Sequence, residues 1–198
     1  MNDKLLNRLL ADNISKRFLA HKQNGLIKDD VGAMRYKQGA IDALKNAKNL
    51  LILGETGMGK SYLAFDLVFD LKIASNGDAR FYYNRASILQ SDFKANYSNV
   101  SKTLDGVLTK PSFYYGDEPS PVEVIIIDEV DDLRDYTILN EVIISAYDKL
   151  IPVILIGNIR YEILAERLSD KALSRLTENM EVYSLDGQDL RTQQEVEK

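Results

Sequence analysis

Apolar residues recur near the start of the chain as Leu5, Leu6, Leu9, Leu10, Ile14, Phe18 and Leu19. Spacings of three and four residues place them on one side of a helix. The pattern predicts an amphipathic helix over residues 5–19, interrupted near Asn13. Such a face either packs on the rest of the chain or docks in a partner's groove, and the sequence leaves both open. Gly25 and Lys28-Asp29-Asp30 read as a linker, and residues 34–47 as a second helix.

From Asn49 onward, short apolar runs alternate with helical patterns, which is the signature of a parallel sheet with crossover helices. Strands are predicted at 50–53, 80–84, 122–127, 152–156 and 180–185. Helices are predicted at 61–73, 86–97 and 136–150, with one or two more across 161–178. The 122–127 run is nearly all β-branched, as suits a central strand buried on both faces. Residues 98–121 contain Pro111, Gly116, Pro119 and Pro121 and lack periodicity, so they form a long irregular connection of a kind that is often functional. The fold class is therefore α/β, a five-stranded parallel sheet flanked by helices. It divides into an N-terminal segment 1–30, a main domain 31–186 and a polar tail 187–198.

Bulk properties narrow the chemistry. With 198 residues, 45% of them hydrophobic and 28% charged, the chain suits one hydrophobic core rather than two ordinary domains. There is no cysteine and a single histidine, His21, so a bound metal has to use oxygen ligands. The net charge of -5 argues against general coating of nucleic acid, while leaving room for a local basic groove. Without a long apolar run or a signal-peptide pattern, the expected location is cytoplasmic, with no membrane partner.

Gly54-Glu55-Thr56-Gly57-Met58-Gly59-Lys60-Ser61 fits G-x-x-x-x-G-K-[ST] and stands between a predicted strand and a predicted helix. Glycines let successive N–H groups turn toward an anion. The helix N-terminus adds its positive end, and Lys60 reaches the β and γ phosphates. Ser61 would ligate Mg²⁺, and Tyr62 is grouped with the loop as nucleotide-binding. ATP and Mg²⁺ are the expected cofactors.

Ile125-Ile126-Ile127-Asp128-Glu129 puts two carboxylates at the carboxyl end of a buried strand, where open α/β sheets bind ligands. Asp128 would hold Mg²⁺ through water, and Glu129 would orient and deprotonate the attacking water. The alternative is a solvated turn shared with Asp131 and Asp132. Asn158, after another strand, is either a sensor of the γ phosphate or a helix cap.

Together these residues resemble the AAA+ ATPases, and within them the DnaC/DnaI-type bacterial helicase loaders and the related IstB transposition ATPases. The likeness runs over about residues 14–191. Ile14-Ser15-Lys16-Arg17-Phe18 resembles the family's Ile-x-x-Arg-Phe/Tyr segment, and Ala86-Ser87-Ile88-Leu89 resembles its segment after the second strand. Leu173-Ser174-Arg175-Leu176 is similar to the family's Asp-Arg-Leu/Met stretch.

The resemblance implies a P-loop NTPase fold of AAA+ type and an ATPase that is slow without partner or DNA. Arg175 would be an arginine finger acting in trans, with Arg167 as the substitute. Arg191 would sense nucleotide. For each arginine the alternative is a surface ion pair. The implied partners are a replicative hexameric helicase, single-stranded DNA and further copies of the chain. Lys94, Tyr97, Lys102, Lys110, Tyr114 and Tyr115 are candidate DNA contacts, or parts of an ordinary loop. Unlike the longer loaders, the chain has only residues 1–30 ahead of the core, so docking falls to the 5–19 helix or to another surface. Competing readings are an IstB-type transposition helper, a nucleotide-gated adaptor with little turnover, and a small-molecule P-loop kinase. The net acidity disfavours the first, and Glu129 the second.

Overall fold

The structure, a computed structural model, describes residues 14–27, 32–75, 79, 81–95 and 123–185. Five strands, β1 (Asn49–Gly54), β2 (Phe81–Arg85), β3 (Val124–Asp128), β4 (Val153–Gly157) and β5 (Met180–Leu185), form one sheet in the order β2-β3-β4-β1-β5. Every pairing is parallel. All residues of β3 and β4 are buried, which explains their unbroken β-branched and leucine runs.

Strand alternation splits the interior into two cores. Leu50, Ile52, Ile126, Ile154 and Ile156 face one side, covered by α1 (Lys16–Gln23), α2 (Lys37–Lys45) and α3 (Lys60–Ala74). Leu51, Leu53, Ile125, Ile127 and Leu155 face the other, covered by α4 (Ala86–Ala95), α5 (Thr137–Asp148), α6 (Tyr161–Arg167) and α7 (Asp170–Thr177). Register aligns the strand ends: Arg85 pairs with Asp128, Leu53 with Gly157, and Gly54 with Leu185. The residues that leave these strands therefore emerge together along one edge of the sheet.

Three expectations are refined. The described part of the N-terminal helix starts at Lys16, with Ser15 as N-cap accepting the Phe18 N–H. Ile14, Phe18 and Leu19 are buried in the same core as β1, and Phe18 meets the rings of Tyr62 and Phe65 at 5.6 Å each. This part of the apolar face packs on the domain, whereas Leu5, Leu6, Leu9 and Leu10 lie outside the described residues. The helix expected at 34–47 is a 3₁₀ turn (Gly32–Tyr36) followed by α2. There the Ala33 N–H donates to the Met58 carbonyl at 2.8 Å, which draws the turn onto the glycine loop. The 161–178 stretch is two helices because Leu168 is extended and Ser169 caps α7. The 98–121 connection and the 187–198 tail lie outside the described residues.

Candidate nucleotide-binding site

Residues 54–59 leave β1 and α3 begins at Lys60. Gly54 (φ 134°), Gly57 (φ 82°) and Gly59 (φ 78°) occupy the left-handed half of backbone space. At Gly54 a Cβ would also lie 2.0 Å from the Leu185 carbonyl oxygen, so only glycine fits beside β5. Met58 is buried, and its carbonyl is taken by Ala33. The loop thus leaves main-chain N–H groups and the start of α3 as the groups that could meet an anion. Tyr62 belongs to this first turn, but its side chain points away from the loop, its hydroxyl 3.0 Å from His21 Nδ1. Of Tyr62, only the N–H could serve a nucleotide at the loop.

Lys60 is 7% exposed. Its ammonium donates to the carbonyls of Gly54 (2.9 Å) and Glu55 (2.5 Å) and to Asn158 Oδ1 (2.7 Å). One cation therefore joins the ends of β1 and β4. Asn158 accepts from Lys60, so its side chain belongs to the phosphate loop's network; no side-chain cap bond is made to α6.

Across the edge, Asp128 is 5% exposed. Its Oδ2 accepts from Ser61 Oγ at 2.7 Å and Tyr83 OH at 3.0 Å, and its Oδ1 from the Glu129 N–H at 2.9 Å. Burial, and then the adjacent Asp128 carboxylate, push the Tyr83 hydroxyl well above its ordinary pKa, so it remains a proton donor here.

Ser61 and Asp128 form an oxygen pair suited to Mg²⁺, which takes one or two protein ligands and completes its shell with water and phosphate. Among the described residues no group of three or more His, Cys, Asp or Glu forms a protein-only metal cage. The donor set fits Mg²⁺ held jointly with a phosphate.

Glu129 adopts a left-handed conformation (φ 58°, ψ 44°) at the start of the 3₁₀ turn Val130–Asp132. That geometry costs a non-glycine residue of order 1 kcal/mol, and it swings the carboxylate off the strand line toward Arg85, whose Nε lies 3.5 Å away. Burial raises the Glu129 pKa; Arg85 works against the rise, while Asp128, Asp132 and Asp131 add to it. A carboxylate made more basic, beside the Mg²⁺ pair, suits proton abstraction.

Sequence reasoning overlooked Tyr83 and Arg85, and named Asp131 only within the alternative of a solvated turn. Tyr83 and Arg85 reach the site only because β2 lies next to β3. Asp131 accepts the Asn158 main-chain N–H at 2.7 Å. A groove lined by Asp131 to Tyr136 and Arg167 opens beside this turn.

The arginines are placed differently from one another. Arg175 stands over the Tyr147 ring at 5.0 Å, donates to the Ile144 carbonyl at 3.4 Å and pairs with Asp148 at 3.3 Å, all at the end of α5. Arg167 donates to Tyr136 OH at 3.1 Å. Arg191, Tyr97, Lys102, Lys110, Tyr114 and Tyr115 lie outside the described residues, and Lys94 is exposed near the end of α4.

Parallel strands in the order β2-β3-β4-β1-β5, with a glycine loop after β1 and paired carboxylates after β3, define a P-loop NTPase fold of AAA+ type. No protein-family model matches the chain, and no curated protein matches it in sequence. Solved structures do match. A DnaC helicase loader is similar at a TM-score of 0.54 and 22% identity, covering 78% of this chain and 88% of that one. DnaI is similar at 0.56 and 17%, covering 78% and 83%. AMPPCP-bound DnaA from Aquifex aeolicus is similar at 0.56 and 16%, covering 78% of this chain and 45% of that one. The chain thus spans less than half the length of that DnaA. At such identities the likeness establishes the fold.

Proposed function

We propose that this protein is a Mg²⁺-dependent ATPase that loads a replicative hexameric helicase onto single-stranded DNA. The observation that carries the catalytic half is the convergence of Lys60, Ser61, Asp128, Glu129 and Asn158 at one edge of the sheet, linked by the bonds from Lys60 to Asn158 and from Ser61 to Asp128. Lys60 and the N–H groups of the loop and first turn, Tyr62 included, would hold the phosphates. Ser61 and Asp128 would hold Mg²⁺, which screens phosphate charge and orients the terminal phosphoryl group. Glu129 would take the proton of the attacking water while Asn158 steadies that water or the γ phosphate.

The replication half is supported by the likeness to a DnaC helicase loader over most of that structure, and by a similar DnaA bound to AMPPCP and single-stranded DNA. Activity in an oligomer and a cytoplasmic location belong to the same reading. The test is ATP turnover by the full chain, alone and with single-stranded DNA plus a replicative helicase, together with size exclusion of the mixture. Stimulated turnover with a stable helicase complex is expected. ATP binding without any helicase complex would overturn the loader assignment.

One observation favours a second reading, a nucleotide-gated adaptor with little turnover. Arg175 is engaged within its own chain by Asp148 and the Ile144 carbonyl, as a surface ion pair would be. Absence of stimulated turnover in the unaltered chain would favour the adaptor, and where turnover is stimulated Arg175→Ala separates a finger from an ion pair. A finger loses DNA- or helicase-stimulated turnover by roughly a hundredfold or more while binding persists, and an ion pair leaves the stimulated rate unchanged.

A further inference from the structure

The 3₁₀ turn that carries Glu129 and the end of β4 that carries Asn158 meet at one carboxylate. Asp131 Oδ1 accepts the Asn158 main-chain N–H at 2.7 Å, and its Oδ2 lies 3.4 Å from Asn158 Nδ2. On the other side of the same amide, Oδ1 accepts a hydrogen bond from the Lys60 ammonium at 2.7 Å. We propose that Asp131 is a positioning residue: it fixes the amide of Asn158 in one orientation, so that ATP hydrolysis depends on it far more than nucleotide capture does. This rests on the ATPase reading above.

The chemistry of the three groups leaves one arrangement. A carboxylate accepts only, an ammonium donates only, and a primary amide has one end of each kind. With Nδ2 toward Asp131 and Oδ1 toward Lys60, both contacts are attractive. Turned over, the amide would set its oxygen against the carboxylate and its NH₂ against the ammonium. Asp131 and Lys60 therefore resolve the two-fold ambiguity of an asparagine side chain.

The turn that carries the carboxylate is itself well anchored. Asp132 N–H donates to the Glu129 carbonyl at 3.0 Å, Leu133 N–H to that of Val130 at 3.4 Å, and Tyr136 OH to the Val130 carbonyl at 2.9 Å. Turn and strand end also touch so closely that a Cβ on Gly157 would lie 2.8 Å from Val130 Cγ2 and 2.9 Å from Asp131 Oδ1. Glu129 and Asp131 are two residues apart on this rigid turn, so the Asp131–Asn158 contact sets the separation between the base and the polar amide that share the attacking water. Support of this kind around a reacting group is worth large factors in rate and little in binding.

The experiment uses the full chain and four variants: Asp131→Ala, Asp131→Asn, Asn158→Ala and the double alanine. The readouts are the affinity for a fluorescent ATP analogue, ATP turnover, thermal midpoint, and the side-chain amide signals of Asn158 in ¹⁵N NMR without nucleotide, assigned by their loss in Asn158→Ala. In Asp131→Ala the amide signals should move, affinity should stay within about threefold, and turnover should fall by about tenfold or more. Added to Asn158→Ala, the same change should cost less than about twofold, because its effect has already been lost. Asp131→Asn keeps an acceptor for the Asn158 N–H and should keep the thermal midpoint, but it turns an NH₂ toward another NH₂ and should lose turnover like the alanine.

Unmoved amide signals in Asp131→Ala, wild-type turnover in Asp131→Asn, or an equal fold-loss with and without Asn158 would each overturn the assignment. If the unaltered chain hydrolyses no ATP under any condition, the ATPase reading fails, and the NMR comparison still decides whether Asp131 orients Asn158.

Discussion

Helix α3 buries charge at Lys60, Asp66 and Lys72, and the first two meet different kinds of partner. In its first turn Lys60 donates to three neutral oxygens, those of Gly54, Glu55 and Asn158. Less than two turns further on, Asp66 is fully buried and is met by two cations, Lys22 of α1 and Lys37 of α2, at 2.5 Å each, with Lys37 also reaching Asp70 at 2.7 Å. A lysine that donates to carbonyl and amide oxygens can exchange those bonds for bonds to the charged oxygens of a phosphate. A carboxylate held by two lysines has nothing to gain from a ligand, and leaving either partner exposes buried charge. The first arrangement suits a binding site, the second a clamp that fastens the N-terminal segment to the helix behind the phosphate loop.

Titration agrees with that division. Burial works against the charged form of Lys37, yet the Asp66 and Asp70 carboxylates more than offset it and hold the pKa above the ordinary lysine value. A raised lysine pKa means a stabilising contribution that is complete below the unfolded-state value and disappears as pH rises through the folded one. The contribution of Lys37 to the clamp therefore persists through neutral pH and is lost in strong alkali.

The contrast can be broken or sharpened by mutation. Lys60→Ala should lower affinity for a fluorescent ATP analogue by about a hundredfold or more, and unchanged affinity would remove Lys60 from the phosphate site. Glu129→Gln should retain that affinity while turnover falls by roughly a hundredfold; loss of binding in step with turnover would place Glu129 in capture instead of chemistry. Asp66→Ala should lower unfolding stability by about 1–3 kcal/mol, less than a fully enclosed pair would lose because both lysines can reach water. Denaturant midpoints measure this, and a parallel loss of nucleotide affinity would show that clamp and site are one unit.

The smallest effect concerns pH. Glu129 cannot accept a proton once protonated, so turnover falls as pH drops through its pKa, which burial raises from its ordinary value. Arg85 opposes the rise. Arg85→Ala should therefore move the acid limb of the rate profile to higher pH, and a shift to lower pH would contradict the pairing seen here.

How much of this was legible in the chain differs from residue to residue. Gly54 to Ser61 were readable because the loop is contiguous and its mechanism needs fixed spacing. Asp128 and Glu129 were readable because a β-branched run announced the strand that ends in them. The 3₁₀ turn at Gly32–Tyr36 was not, since helical propensity there is overridden by the bond from Ala33 to Met58. Asp66 showed no sign of its burial, because Lys22 and Lys37 approach it from elements far away in sequence.

By itself, the sequence determined the α/β class, the five strands, the phosphate loop and the pair of carboxylates, all of which arise from periodicity and local spacing within one segment. The tertiary structure alone decided that β2 lies against β3, bringing Tyr83 and Arg85 to the site, and that β4 lies between β3 and β1, so that Asn158 stands between Lys60 and Asp131. Strand order is set by which faces the helices cover and how the crossovers run. Those choices depend on contacts between distant segments, which no local pattern encodes.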